Sequence, residues 1–488
     1  MRVRAEVLAC LGVVGLVVFW MVGPRFGHPF PSMVDDWSAI ARAPDQLREV
    51  VRFGNPEGQR YRPGFIAWNG LQWHTLGAPG NLLGPRLWGV LRVAALPLGV
   101  TLLALLLVES QLRKLRGADP RWLLVVGVPL AVITAPSLAL DLVRYGPQEP
   151  LMVGCMSLGA VMLVRALDGL LDTAAVSATT VALAVGGIVS WSFGVLQKET
   201  SVCVLLVAPF LWPTLRDQRG RWDGLNRRRR AGIGLVAAGI LLPFVPMLAW
   251  TIEMSLAGER VYEDAAAAKS FLARLSDQLG RAGEVLHSPL PMIVLAAAVV
   301  VLAVRTFRVG ADWLSTGLLV VALAFVLSAA HAGVVASRYY LPPVALGAFA
   351  LARSAASLGS ATVVAAGALL LVGGTWQAWE GHSRVESWVL DEQSSEALVR
   401  QAAGRSAGGC RVGVIGLNVE FVRALPVLMP LAKEPAHDCS GSERYLVVID
   451  PGGPGTVTPP TDPVLAACGP EPRPVYSSEI GKILRCTA

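Results

Sequence analysis

Long apolar runs broken by short polar stretches fill the first three quarters of the chain. A helix needs roughly 20 mostly apolar residues to cross a bilayer core. About eleven segments approach that length: 5–23, 88–109, 122–139, 150–165, 176–195, 201–215, 232–252, 289–304, 313–334, 341–354 and 359–376. The pattern predicts a polytopic α-helical membrane protein of about eleven transmembrane helices. The first run follows Arg2 and Arg4. It is longer than a signal-peptide core, and Gly23-Pro24-Arg25-Phe26 offers no small-x-small cleavage site, so it reads as a retained span. Residues 25–87 then form a large hydrophilic first loop. Within it, 65–76 has the spacing of an amphipathic helix lying on the membrane, and 271–279 repeats that spacing in a later polar segment, 253–288.

Beyond about Gln377 the chain is polar and has few long apolar runs. The runs 411–416 and 444–450 read as buried strands, 418–431 as a helix between them, and the Pro/Gly-rich stretch 451–474 as loop. This divides the chain into a membrane domain, 1–376, and a small α/β domain, 377–488.

Composition sharpens this picture. The 488 residues are 53% hydrophobic and only 16% charged, with a mean hydropathy of +0.54, against about 25% charged for a soluble protein. The net charge of +7 does not mark a nucleic-acid binder, because the cations sit between spans. With the N-terminus in the cytoplasm, the inner loops hold Arg113, Lys114, Arg116, Arg121, Arg165, Arg216, Arg219, Arg221, Arg227 to Arg230, Arg305, Arg308 and Arg353. The outer loops hold fewer: Arg144, Lys198, Arg260, Lys269, Arg274, Arg281 and Arg338. This follows the positive-inside rule, so the run Arg227-Arg228-Arg229-Arg230 reads as a topology anchor rather than a headgroup or nucleic-acid site. Eleven spans put the C-terminal domain outside. Cys10, Cys155 and Cys203 fall in spans, whereas Cys410, Cys439, Cys468 and Cys486 fall in that domain. Four cysteines in an oxidising compartment allow three pairings; Cys410–Cys439 with Cys468–Cys486 is the favoured one.

The polar residues at outer span ends form a set. The first loop gives Asp35, Asp36, Arg60, Tyr61 and Arg62. Later loops give Asp141, Arg144, Tyr145, Gln148 and Glu149; Gln197, Lys198, Glu199 and Thr200; and Ser337, Arg338, Tyr339 and Tyr340. Glycosyl transfer to a hydroxyl needs a carboxylate to take the acceptor proton. A phosphate leaving group needs cations, with Arg as a forked donor and Lys as a point charge. Tyrosines hydrogen-bond sugar or phosphate while their rings face lipid. Each signal has a plainer reading. Asp35 and Asp36 suit a helix cap before Trp37. Arg60 and Arg62 suit snorkelling. Lys198 and Glu199 suit a mutual ion pair, and Arg338 to Tyr340 an aromatic belt. His74 and His331 read as structural. Paired aspartates also suit a divalent metal ion, although the sequence shows no complete ligand set.

The layout resembles the GT-C glycosyltransferase superfamily: protein O-mannosyltransferases, lipid A aminoarabinose transferases and actinobacterial arabinosyltransferases. The resemblance covers roughly 1–376 and is carried by Asp35-Asp36, Arg60-Tyr61-Arg62-Pro63, Lys198-Glu199 and Arg338-Tyr339-Tyr340-Leu341-Pro342. It implies a polyprenyl-phosphate sugar as donor and an envelope glycan, lipid or protein as acceptor. It also implies Asp35 or Asp36 as the catalytic base, with the basic and tyrosine residues holding the donor. The high Ala, Gly, Val and Arg content suits a GC-rich bacterium, which would place the chain in a bacterial plasma membrane with its active site outside. Two other readings compete: a transporter or flippase of a lipid-linked sugar, and a membrane anchor or assembly factor. Span centres nearly free of charge, with no duplicated halves, disfavour transport.

Overall fold

The computed structural model describes residues 2–27, 62–65, 67, 83–112, 119–144, 148–172, 176–217, 224–257, 270–332, 336–407, 410–415, 444–449, 468, 473–478 and 481–486. The first loop other than 62–65 and 67, the predicted helix 418–431 and most of 451–474 lie outside them.

Every expected span falls on helix. In order these are α1 (Arg2–Gly27), α2 (Leu83–Leu112), α3 (Trp122–Ile133), α4 (Pro136–Val143), α5 (Glu149–Leu171) and α6 (Ala178–Val195). A 3-10 helix, η1 (Glu199–Val207), leads into α7 (Ala208–Asp217), α8 (Arg227–Leu241) and α9 (Phe244–Ala257). After α10 (Phe271–Gly280) and α11 (Ala282–Leu286) come α12 (Leu290–Val309), α13 (Trp313–Ala332), η2 (Ser337–Tyr340), α14 (Leu341–Ala356) and α15 (Ser360–Ala407). Among the described residues seven helices are long and apolar enough to cross a membrane, or eight if one bent pair counts as a span. Of the four remaining expected spans, 88–109 lies in the 30-residue α2, and the other three are shorter for identifiable reasons. The 122–139 run bends by 74° between α3 and α4, because Pro136 lacks an N–H and forces Ala135 into an extended conformation. The 201–215 run starts as 3-10 helix, and α14 has only 16 residues.

Large apolar side chains point out of the bundle, among them Phe307 at 91% exposure and Leu235 at 72%. Bilayer lipid is the solvent that such faces require, so the chain is membrane-embedded. Inside, α14 is buried along almost its whole length against α2, α3, α12 and α13. Small residues let the helices close up. A Cβ on Gly127 would stand 2.7 Å from Leu370 Cβ, and one on Gly374 2.7 Å from Leu130 Cβ, which seats α3 on α15. A Cβ on Gly99 would collide with the Gly154 carbonyl where α2 crosses α5.

α15 runs unbroken through residue 377 and carries a four-stranded sheet at its far end: β1 (Arg411–Ile415), β2 (Arg444–Ile449), β3 (Arg473–Ser478) and β4 (Gly481–Arg485), in the order β1-β2-β4-β3. β1 and β2 are parallel, as the α/β expectation requires, and the other pairings are antiparallel. The last two strands were not legible in the sequence. β3 contains Pro474, which only an edge strand tolerates, and its pairing shifts register there. Cys468 and Cys486 form a disulfide beside Leu446, Val448 and Leu484. Cys410 is also disulfide-bonded, and Cys439 lies outside the described residues. Cys10, Cys155 and Cys203 are free.

One end of the bundle gathers its arginines on few acids. Arg165 pairs with Glu109, and Arg121 Nε donates to Ala356 O at 2.8 Å. Asp312 receives Arg353 Nε at 3.2 Å, Arg305 Nε at 3.6 Å and the Ser315 hydroxyl at 2.9 Å. Burial alone would raise the Asp312 carboxyl, but Arg353, Ser315 and Arg305 outweigh it and hold the group below the usual carboxylate range. A depressed carboxyl stabilises the fold above its unfolded pKa, about 3.9, and loses that contribution as pH falls through the native value. Thermal unfolding of purified wild type and Asp312→Asn therefore shows a gap that is open at pH 7 and narrows below about pH 4. A gap that stays constant to pH 3 contradicts the assignment.

Candidate functional site

The opposite end of the bundle holds a cluster of charged side chains drawn from five parts of the chain. Arg62, from the first loop, is its hub and is 9% exposed. Its Nε and Nη2 donate to the two oxygens of Glu199 at 2.8 and 2.9 Å, and Nη1 donates to Gln148 Oε1 at 2.9 Å. The planar fork of arginine suits this bidentate geometry. Gly64 fixes the approach. Its N–H donates to Leu196 O at 2.8 Å, and a Cβ there would stand 2.8 Å from the Leu196 carbonyl carbon. Only glycine lets the loop lie this close to the chain joining α6 to η1.

Lys198 and Glu149, both about fully buried, form an ion pair. The Lys198 ammonium also sits 3.7 Å from the centre of the Tyr339 ring, a cation–π contact. Glu149 opens α5 and Glu199 opens η1, so each acid also meets the positive end of a helix. Asp141, near the end of α4, accepts from the Ser337 hydroxyl at 2.5 Å and lies 3.4 Å from Arg144 Nη1. The Arg338 guanidinium carbon lies 5.7 Å from the centre of the same Tyr339 ring, so it joins the same group. The Tyr340 hydroxyl turns away and donates to Gln278 O at 2.5 Å; burial pushes this phenol up to about 12, so it remains a donor. This bond ties the amphipathic helix α10 to the cluster.

Among the described residues four cations (Arg62, Arg144, Lys198, Arg338) and three carboxylates (Asp141, Glu149, Glu199) make up the cluster. Arg62 and Lys198 are buried by their internal partners, whereas Arg144 and Arg338 are partly exposed. The buried side-chain amides of Gln197 and Gln278, 0% and 1% exposed, have no hydrogen-bond partner among the described residues. Buried amides are normally bonded, to protein or to ordered water.

An apolar groove of about 300 Å³ starts beneath this cluster. Its wall begins at Met152 and Val153, one turn beyond Glu149, and at Pro342, two residues beyond Tyr340. It follows α5 to Val164, about 18 Å at 1.5 Å per residue, more than half of a hydrocarbon core about 30 Å thick. Ser157 and Trp191 supply its polar atoms, and the indole N–H is already bonded to Ile240 O at 3.1 Å.

The predicted residues thus divide into groups. Arg62, Arg144, Glu149, Lys198, Glu199, Arg338 and Tyr339 come together, with Tyr340 adjoining them. Asp35, Asp36, Arg60, Tyr61 and Tyr145 lie outside the described residues. Both flanks of 28–61 are nonetheless anchored near the cluster. On one side Arg25 Nε donates to Val143 O at 3.4 Å, next to Arg144, and Arg25 lies 5.0 Å over the Trp388 ring. On the other side stand Arg62 and Gly64. Gly64 and Gln278 were not singled out in the sequence; the Arg-Pro-Gly order after a polar loop was the available signal for Gly64. Among the described residues no three His, Cys, Asp or Glu side chains come together as metal ligands.

Removing one member of a buried pair strands the other and costs about 3–5 kcal/mol, whereas replacing both with apolar residues costs little. Arg62→Met and Glu199→Leu should each lower the unfolding temperature of the purified protein sharply, and the double variant should recover most of the loss. A double variant as unstable as the sum of the singles contradicts the pairing.

The chain matches no protein-family model, no curated protein and no solved structure.

Proposed function

We propose that the chain is a glycosyltransferase that moves a sugar from a polyprenyl-phosphate donor to an extracytoplasmic acceptor such as an envelope glycan, lipid or protein. The observation that carries this reading is the meeting of a largely buried polar cluster that includes four cations with an apolar groove that starts one turn below it. A lipid-linked phosphate has these two parts: an anion at headgroup level and a hydrocarbon tail. The arginine-rich opposite end supports an orientation with the cluster outside. Nucleotide sugars are absent there, so a lipid-linked donor fits the site.

In this reading Arg144 and Arg338 hold the donor phosphate, and Arg62, Lys198, Glu149 and Glu199 form the rigid floor behind them. Asp35 or Asp36 removes the proton of the acceptor hydroxyl. The hydroxyl oxygen bonds to the anomeric carbon, the bond from that carbon to the phosphate oxygen breaks, and polyprenyl phosphate leaves with the charge that the arginines stabilise. The groove disfavours a flippase, because a charged headgroup crossing through it would meet almost no polar side chain.

Proteoliposomes supplied with radiolabelled polyprenyl-phosphate sugars test the reading. Wild type is expected to transfer sugar, Asp35→Asn or Asp36→Asn to lose roughly a hundredfold or more in rate, and Arg338→Gln to raise the KM for donor. No transfer from a broad donor panel, or full activity in both Asn variants, would overturn it.

A further inference from the structure

The C-terminal sheet carries an arginine from every strand at one end. Arg411 pairs directly with Arg444 across β1 and β2, and Arg473 with Arg485 across β3 and β4. Arg485 in turn faces Tyr445, one residue along from Arg444. All four are exposed. Directly paired residues share a face, so Arg411 and Arg444 leave one face of the sheet while Arg473 and Arg485 leave the other. Together they edge the end of the sheet. With neighbouring strands about 4.8 Å apart, the row is about 14 Å wide. No strand contains Asp or Glu, and Arg411, Arg444 and Arg473 have no acidic partner among the described residues. Like charges directly opposed on neighbouring strands destabilise a sheet, so the Arg411–Arg444 pair works against the fold that carries it.

Its position argues against a membrane role. The exposed Trp376 and Trp379 mark the interfacial belt of α15. From Trp379 to Ala407 the helix advances about 42 Å, and Arg411 follows four residues later, held there by Cys410 N–H to Arg405 O at 3.1 Å. That distance is several times the Debye length of about 8 Å. The end of α15 does not require the row either, since Arg405 already donates to Gln401 O at 2.9 Å there. The Cys468–Cys486 disulfide belongs to an oxidising compartment, where nucleic acid is not the usual polyanion. The row also lacks exposed rings on which bases would stack: Tyr445 is buried and Tyr476 half-buried.

We propose that this row docks an anionic glycan, a polymer with phosphate or carboxylate groups on successive units, and holds it some 40 Å above the bilayer. Arginine forks suit either anion, and the width of the row fits several charges rather than one small ion. The inference rests on the sheet alone and stands whether or not the membrane domain transfers sugar.

Binding is measured on the full chain in zwitterionic nanodiscs, with poly(glycerol phosphate), polygalacturonate and single-stranded DNA of matched charge as probes. Saturable binding to at least one of the two glycans is expected. The Arg411→Gln/Arg444→Gln double variant should weaken it at least tenfold and unfold no earlier than wild type, since it removes an opposed pair. Arg473→Gln should also weaken binding severalfold, and Arg400→Gln, outside the row, less than twofold. Binding of only the phosphate polymer or only the uronate names the anion and supports the proposal. Absence of saturable glycan binding, tighter binding to DNA than to either glycan, or equal weakening by Arg400→Gln overturns it.

Discussion

A lysine and a glutamate with almost no exposure to water are the constraint around which the polar end of this protein is built. Bringing the Lys198 ammonium and the Glu149 carboxylate out of water costs several kcal/mol each, and their attraction offsets this only when the remaining polar capacity is filled. The structure fills it with the Gln148 N–H, which donates to Glu149 Oε2 at 3.0 Å, the start of α5, and the Tyr339 ring. Beside it, Glu199 is satisfied by two N–H groups of Arg62. These requirements bind Arg62, the starts of α5 and η1, and η2 into one unit. Arg144 and Arg338 stand toward solvent on that unit. A fixed cation set that need not reorganise is what stabilisation of a developing phosphate charge requires.

How much of this was legible follows from the range over which each feature is encoded. Apolar runs are local, so each expected span falls on helix. The bend at Pro136 and the 3-10 start at Glu199 depend on a few residues whose effect a hydropathy pattern averages away. The soluble texture beyond Gln377 was read as a new domain, yet α15 continues to Ala407, because Val385, Val389, Leu398, Val399 and Ala402 recur at helical spacing and bury one face. The cluster was legible as a set of residue types at span ends, not as a set of partners. Arg62 and Glu199 are 137 residues apart, and nothing local specifies their pairing. Their plainer sequence readings were also partly displaced: Lys198 pairs with Glu149 rather than with its neighbour Glu199.

The groove and the cluster together give the membrane domain its functional character. Gly99 and Gly154 bring α2 against α5, and the short, buried α14 forms another part of the groove wall. Its upper end meets the polar unit at Glu149 and Tyr340. The anchors at Arg25 and at Arg62–Gly64 hold both flanks of 28–61 near the same place. The long α15 then carries the arginine-edged sheet at its far end.

The most direct measurement is photo-crosslinking of the nanodisc-embedded protein with a polyprenyl phosphate that carries a diazirine in its tail, followed by mass-spectrometric mapping. The account expects adducts on groove residues such as Met152, Phe325 and Phe349, competed by unlabelled lipid phosphate and weakened by Arg338→Gln. Adducts confined to outward-facing residues such as Leu235 and Phe307, insensitive to competitor, would contradict it.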